Sequence, residues 1–110
     1  MNQQHAIEAF SALAQDSRVE IYRMLVRCSP ATMRAGEIST KLNIIPSTLS
    51  GHLAVLKRAG LLYSKRQQRE ILYSANISAM NKLISFMLQD CCNGQMGNCK
   101  QILELLDPKP

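Results

Sequence analysis

The chain has 110 residues and a formal net charge of +5, with 46% hydrophobic and 19% charged residues. That length suits one domain over residues 1–110, and the composition excludes a disordered chain. No apolar run approaches the roughly 20 residues a membrane-spanning helix needs, so no membrane partner is expected. The start, Met1-Asn2-Gln3-Gln4-His5, lacks a basic region followed by an apolar stretch, so no secretory signal is read and a cytoplasmic location is expected. In a reducing cytosol, the four cysteines point to metal binding or redox chemistry more than to a disulfide framework. Residues 46–75 hold Lys57, Arg58, Lys65, Arg66 and Arg69 against Glu70 alone, a local net charge of +4. Such an excess fits a polyanion such as DNA, and equally a solvated face.

The apolar spacing predicts mainly helices, about five or six, with one two-stranded β pair. Ala6, Ile7, Ala9, Phe10 and Leu13 recur at helical spacing and predict a helix over about 5–14. Ser17-Arg18-Val19-Glu20 has capping-box spacing and predicts the start of a helix that runs to about Arg27 and buries Ile21, Met24 and Leu25. Pro30 ends it or follows its end. Gly36 to Asn43 reads as a short helix with Ile38 and Leu42 inward and Asn43 as a left-handed stop. After a short turn Pro46 opens the next helix, where its missing N–H is tolerated. That helix runs to about Ala59, buries Leu49, Leu53 and Leu56, and stops at Gly60. Two short helices joined by a tight turn make a helix-turn-helix unit.

Leu61–Arg66 and Glu70–Ser74 read as two strands joined through Gln67-Gln68-Arg69. The tip has neither Asn-Gly nor Asp-Gly, so its turn type is open. Asn76 or Ser78 is expected to cap a further helix carrying Ile77, Met80, Leu83, Ile84, Met87 and Leu88 and ending near Asp90. A last apolar segment, Ile102 to Leu106, ends before Pro108.

Ser47-Thr48-Leu49-Ser50-Gly51-His52-Leu53-Ala54-Val55-Leu56-Lys57-Arg58-Ala59-Gly60-Leu61, with Gly36-Glu37-Ile38 ahead of it, resembles the winged helix-turn-helix of ArsR/SmtB-type bacterial repressors. Ala14-Gln15-Asp16-Ser17-Arg18 is similar to the start of that family's second helix, and the resemblance spans roughly residues 5–90. It implies operator DNA as partner, no enzymatic activity, and a homodimer built on the N- and C-terminal helices. The apolar faces around Phe10, Leu13, Leu83 and Met87 are the candidates for that contact, or for the core of one chain. Ser47, Thr48 and Ser50 place small hydrogen-bonding groups on the first turns of the reading helix, where unpaired backbone N–H groups suit phosphate. His52 is a candidate DNA contact or a packed histidine. Lys57, near the end of that helix, is a further candidate DNA contact, and Lys65, Arg66 and Arg69 suit the DNA backbone or a minor groove. Two positions depart from the family. Ile45 stands where a capping serine is usual, and Gly51 stands where a long polar base-reading side chain is common, so the operator sequence does not carry over.

Cys91, Cys92 and Cys99 lie within nine residues, with Gly94 and Gly97 between the second and third. Three thiolates can close around one soft ion such as trivalent arsenic, which takes three sulfur bonds. Antimony in the same state has similar chemistry. The arrangement is similar to the C-terminal Cys-Cys…Cys site of some arsenic-responsive members. Other inducer sites of the family are missing: Glu37-Ile38-Ser39-Thr40 holds no Cys-x-Cys, and the long C-terminal helix offers no histidine. The resemblance therefore implies a repressor that releases its operator when arsenite, or antimonite, binds a sensor segment at 90–100. A thiol redox or persulfide switch, another soft metal, and incidental cysteines stay open for the same residues. A thiol-based metal carrier is the reading from a different class. It accounts for the thiols but not for the Ser47–Leu62 motif. Cys28, at a helix end, is read as packed or half-exposed and not as a ligand.

Overall fold

In the computed structural model, residues 1–89 are described. Five α-helices and a three-stranded sheet appear among them, in the order α1 (Gln3–Leu13), α2 (Asp16–Cys28), β1 (Met33–Arg34), α3 (Ala35–Leu42), α4 (Pro46–Arg58), β2 (Leu62–Gln67), β3 (Glu70–Ala75) and α5 (Ile77–Leu88). This is the mainly helical winged helix-turn-helix that the sequence predicts. Cys91, Cys92, Cys99 and the Ile102–Leu106 segment lie outside the described residues.

The first two helices meet at a tight corner. The Asn2 side chain accepts the His5 N–H at 2.8 Å and starts α1, which buries the small side chains Ala6, Ala9 and Ala12. Helix α2 begins earlier than expected. Its cap is Gln15, whose Oε1 accepts the Arg18 N–H at 2.9 Å, and Ser17 already lies inside the first turn. The Ser17–Glu20 spacing matched a capping box, but the chain reverses two residues sooner, at Gln15, whose own N–H donates to the Leu13 carbonyl. Ile21, Tyr22 and Leu25 are the buried residues of α2, with Met24 only partly covered.

The helix-turn-helix follows its punctuation closely. Asn43 sits in the left-handed region at φ 54°, ψ 49° and ends α3. Pro46 occupies the first turn of α4, and Ile45 before it makes no side-chain cap. At the other end Gly60, at φ 82°, closes a Schellman turn. Its N–H donates to the Lys57 carbonyl at 2.9 Å, and the Leu61 N–H donates to the Leu56 carbonyl at 3.0 Å.

The sheet has one strand more than expected, in the order β1-β3-β2 with antiparallel pairing throughout. Met33 pairs with Tyr73 and Arg34 with Leu72. Two residues carry no readable period, so β1 is invisible as a pattern; buried Met33 anchors it. In the hairpin, Gln67 belongs to the ladder opposite Glu70, and the turn narrows to Gln68-Arg69, with Gln68 at φ 58°.

The core joins all helices: Ile21, Leu25, Ile38, Leu49, Leu53, Leu56, Leu61 and Leu83 are the largest fully buried side chains. Leu83 therefore belongs to the core of one chain, while Phe10 and Met87 stay 45% and 56% exposed. Asn76 ties three elements together. Its Oδ1 accepts the Ala79 N–H at 3.1 Å, its Nδ2 donates to the Gly60 carbonyl at 2.9 Å, and its backbone N–H donates to the Leu61 carbonyl at 2.8 Å.

Asn76→Ala is expected to cost about 1–2 kcal/mol, the range for a lost helix cap. Asn76→Asp keeps the cap and loses only the donor to Gly60, so its urea unfolding midpoint should fall between wild type and the alanine variant. Equal midpoints for all three would remove Asn76 from this role.

Candidate nucleic-acid interface

Leu49, Leu53 and Leu56 turn one side of α4 into the core. With 3.6 residues per turn, the opposite side is then the line Ser47, Gly51, Ala54 and Arg58, with Thr48, Ser50 and Lys57 flanking it. All seven are exposed. Pro46 brings no N–H to the first turn, and no side chain at Ile45 caps the helix. The Ser47 and Thr48 N–H groups thus point outward beside their own hydroxyls, a donor cluster suited to a phosphate.

The β2–β3 hairpin carries three further exposed cations, Lys65, Arg66 and Arg69. Lys65 pairs with Leu72 and Arg66 with Ile71, so the two successive cations lie on opposite faces of the ribbon. Arg66 shares its face with Ile71 and Tyr73, which line a groove together with Pro46, Leu49 and Ser50 of α4. The groove encloses about 800 Å³ between α3, α4 and β3. Arg69, at the hairpin turn, and Lys41, on α3, add positive charge to its walls.

Arg34 fixes the wing to α3. Its Nε lies 3.1 Å from Glu37 Oε1, and its Nη1 lies 3.5 Å from Glu70 Oε1. All three side chains are substantially exposed, so each pair adds little to stability. Their consequence is geometric: one guanidinium spans the start of the reading unit and the base of the hairpin tip. Glu37 also accepts the Arg34 backbone N–H, and this bond, helped by the Arg34 charge, holds its carboxyl below the ordinary carboxylate range. A depressed folded value means that this contribution is present above the unfolded carboxylate range and is lost as pH falls through the folded value.

His52 is half-buried on the side of α4 that faces α2, and its Nδ1 lies 3.3 Å from Arg18 Nη1. The structure thus gathers Ser47, Thr48, Ser50, Lys57, Lys65, Arg66 and Arg69 on exposed positions of α4 and the wing, and sets His52 toward α2. Arg58 and Lys41 were missed as candidates. Arg58 had a legible signal, since it lies eleven residues after Ser47 and so repeats the outward line after three turns. Lys41 had none, because its place beside the wing is a product of the tertiary fold. Among the described residues no group of three His, Cys, Asp or Glu side chains could hold a metal ion, and Cys28 is half-buried with Sγ 3.5 Å from the Leu25 carbonyl. No helix among them is long and apolar enough to cross a membrane.

Comparison with known proteins agrees with this geometry. The model of the bacterial regulatory protein arsR family matches residues 15–64. The transcriptional repressor SdpR of Bacillus subtilis is 32% identical over 79 residues, covering 72% of this chain and 84% of that protein. The transcriptional activator HlyU of Vibrio cholerae is 28% identical over 91 residues, 83% of this chain and 82% of that protein. Reduced HlyU from the same bacterium superposes with a TM-score of 0.62 at 26% identity, over 83% of this chain and 93% of that one. An ArsR-like transcriptional regulator from Rhodococcus sp. RHA1 superposes with a TM-score of 0.69 at 27% identity, over 90% of this chain and 92% of that one.

Gly51 lies in the interior of α4 at a position where an added Cβ meets nothing within 4 Å. Gly51→Ala should therefore raise unfolding stability by about 0.5–1 kcal/mol, the usual gain for a solvent-facing helix glycine. A lower urea midpoint would show that the outward face of α4 is occupied at this position.

Proposed function

The chain belongs to the arsR family of bacterial regulatory proteins, and from that premise we propose that it is a homodimeric transcriptional repressor that leaves its operator when trivalent arsenic or antimony draws Cys91, Cys92 and Cys99 together. Family members are transcriptional regulators and not enzymes. The observation that carries DNA binding is the outward face of α4 continued by the cationic wing. The fold supplies an exposed donor-rich first turn, and the hairpin supplies exposed Lys65 and Arg66 and, on the wall of the groove beside α4, Arg69.

A dimer follows from how such a helix reads a duplex. Two helices related by a twofold axis meet two half-sites about one DNA turn apart. Ile7 and Phe10 on α1 and Met87 on α5 are exposed apolar residues that a partner chain would cover. Repression is favoured over activation by the likeness to SdpR, named a repressor, although HlyU is named an activator.

The inducer reading rests on the sequence. Cys91 follows the last residue of α5, Leu88, by three positions, so an ion held by the three thiolates acts at the end of a candidate dimer helix. Releasing the operator by a hundred- to thousandfold needs a coupling of about 3–4 kcal/mol, and operator DNA must weaken arsenite binding by the same factor. A second reading, oxidation or persulfidation of the same thiols, is favoured by one observation: a similar solved protein, HlyU, is described in a reduced state.

The test is an anisotropy titration with a duplex from upstream of the gene itself. Wild type should bind and then release it on addition of arsenite. Cys91→Ser, Cys92→Ser and Cys99→Ser should each bind as tightly and stay bound. Normal release by all three variants would sink the sensor assignment. Release by a peroxide or persulfide donor, with none by arsenite, would select the second reading. Retention under every one of these treatments leaves a carrier or another input as the role of the thiols.

Arg66→Ala and Arg69→Ala should each weaken binding and lower the slope of log affinity against log salt by about one, as the loss of one phosphate contact does. An unchanged slope in both would take them off the contact surface.

A further inference from the structure

The Arg18 side chain bridges the end of α1 and the middle of α4 by polar contacts. It stands in the first turn of α2 and is half-buried. Its backbone N–H donates to Gln15 Oε1 at 2.9 Å. Its Nε donates to the Ala12 carbonyl at 2.6 Å, in the last turn of α1. Its Nη1 lies 3.3 Å from Nδ1 of His52, 34 residues away and on the flank of α4 next to the leucine stripe. No carboxylate lies within ion-pair distance of Arg18 among the described residues, whose salt bridges are all made by Arg34. A guanidinium only donates, so this contact is a hydrogen bond when the imidazole is neutral and carries its proton on Nε2. Placing a cation in a half-buried corner carries a desolvation cost that the carbonyl and the imidazole must offset.

We propose that Arg18 is a positioning residue for operator binding, with His52 its partner and not itself a base or phosphate contact. The strut sets the rotation of α4 against the α1–α2 corner, and so fixes which side chains of the Ser47–Arg58 line face the duplex. Because α1 carries Ile7 and Phe10, the exposed apolar residues offered to a partner chain, the same strut joins the dimer surface to the reading helix by one side chain. This role rests on the DNA-binding reading above.

The experiment is a double-mutant cycle on the full-length chain with two readouts: operator affinity over a range of salt, and the ¹⁵N shifts of the His52 ring. Arg18→Ala should weaken operator binding by about tenfold or more, the scale of one charge-assisted hydrogen bond. His52→Ala should do the same, and the double variant should lose no more than either single one. The salt slope should stay at the wild-type value in all three, since no phosphate contact is removed. His52→Gln, whose amide oxygen can accept from Arg18, should recover most of the affinity. The Nδ1 resonance of wild type should show an accepting, unprotonated nitrogen and shift in Arg18→Ala, a change that folding alone does not produce.

Additive losses, a slope lowered by about one in Arg18→Ala, or full affinity in His52→Ala would each overturn the proposal. If Arg18→Ala does not fold, the His52 variants and the wild-type Nδ1 shift decide it alone. Wild type that binds no upstream duplex while keeping the Nδ1 signature would sink the repressor reading and this role with it. Wild type that binds, with additive losses, would sink this role only.

Discussion

Burial of Leu49, Leu53 and Leu56 is the constraint on which the rest of the molecule depends. Each lies at 2% exposure or less, and each is worth about 1.5–3 kcal/mol when fully removed from water. That stripe joins α4 to Ile21 and Leu25 of α2 and to Ile38 of α3 in one core. It also fixes, by the 100° step of the helix, which residues cannot be buried. The outward line proposed to face DNA is therefore not chosen separately from the fold. A one-residue shift of the stripe would turn Ser47 and Arg58 off the outward side and bring other residues to it.

The ends of α4 were legible for the same physical reason. Pro46 and Gly60 act through the backbone, one by lacking an N–H and the other by tolerating positive φ, and neither effect depends on distant residues. Asn43 is of that kind too. The hairpin was legible from its two apolar runs, and Asn76 from its place ahead of an amphipathic segment. What stayed hidden depends on contacts across the chain. Strand β1 is two residues long and exists because Met33 is buried beside Tyr73. Gln15 displaced the serine of a well-spaced capping box because the chain turns sharply after Leu13. The Arg34–Glu70 pair joins residues 36 apart, and no local pattern announces it.

The candidate interface divides along the same line. Ser47, Thr48, Ser50 and Lys57 could be placed from the period of one helix. Lys65, Arg66 and Arg69 could be placed on a hairpin, but not on its faces. Strand register decides that, by putting Arg66 opposite Ile71 and Lys65 opposite Leu72. His52 could be assigned to the reading helix but not to a partner, since its partner belongs to α2. Charge alone did not separate a solvated face from a binding face. The groove between α3, α4 and β3 adds a shape to that charge, because it brings the first turn of α4 and one wing cation, Arg69, to one concave surface.

Taken by itself, α4 is a poor helix. It starts without a side-chain cap, and an aliphatic residue there costs about 1 kcal/mol relative to serine or asparagine. It carries glycine in its interior, at a cost of about 1 kcal/mol relative to alanine. It also has five residues, Ser47, Thr48, Ser50, His52 and Val55, whose intrinsic helix propensity is only middling. Its conformation is consequently maintained from outside, by the leucine stripe below, the Schellman turn behind and the Arg18 strut at its side. An element held by its neighbours takes its orientation from them. The elements packed against α4 include α1 and α2, which the Arg18 contacts link to its flank. A helix stabilised mainly by its own sequence would respond less. The weak local propensity of the reading helix is thus consistent with a regulator whose input lies at another element of the fold.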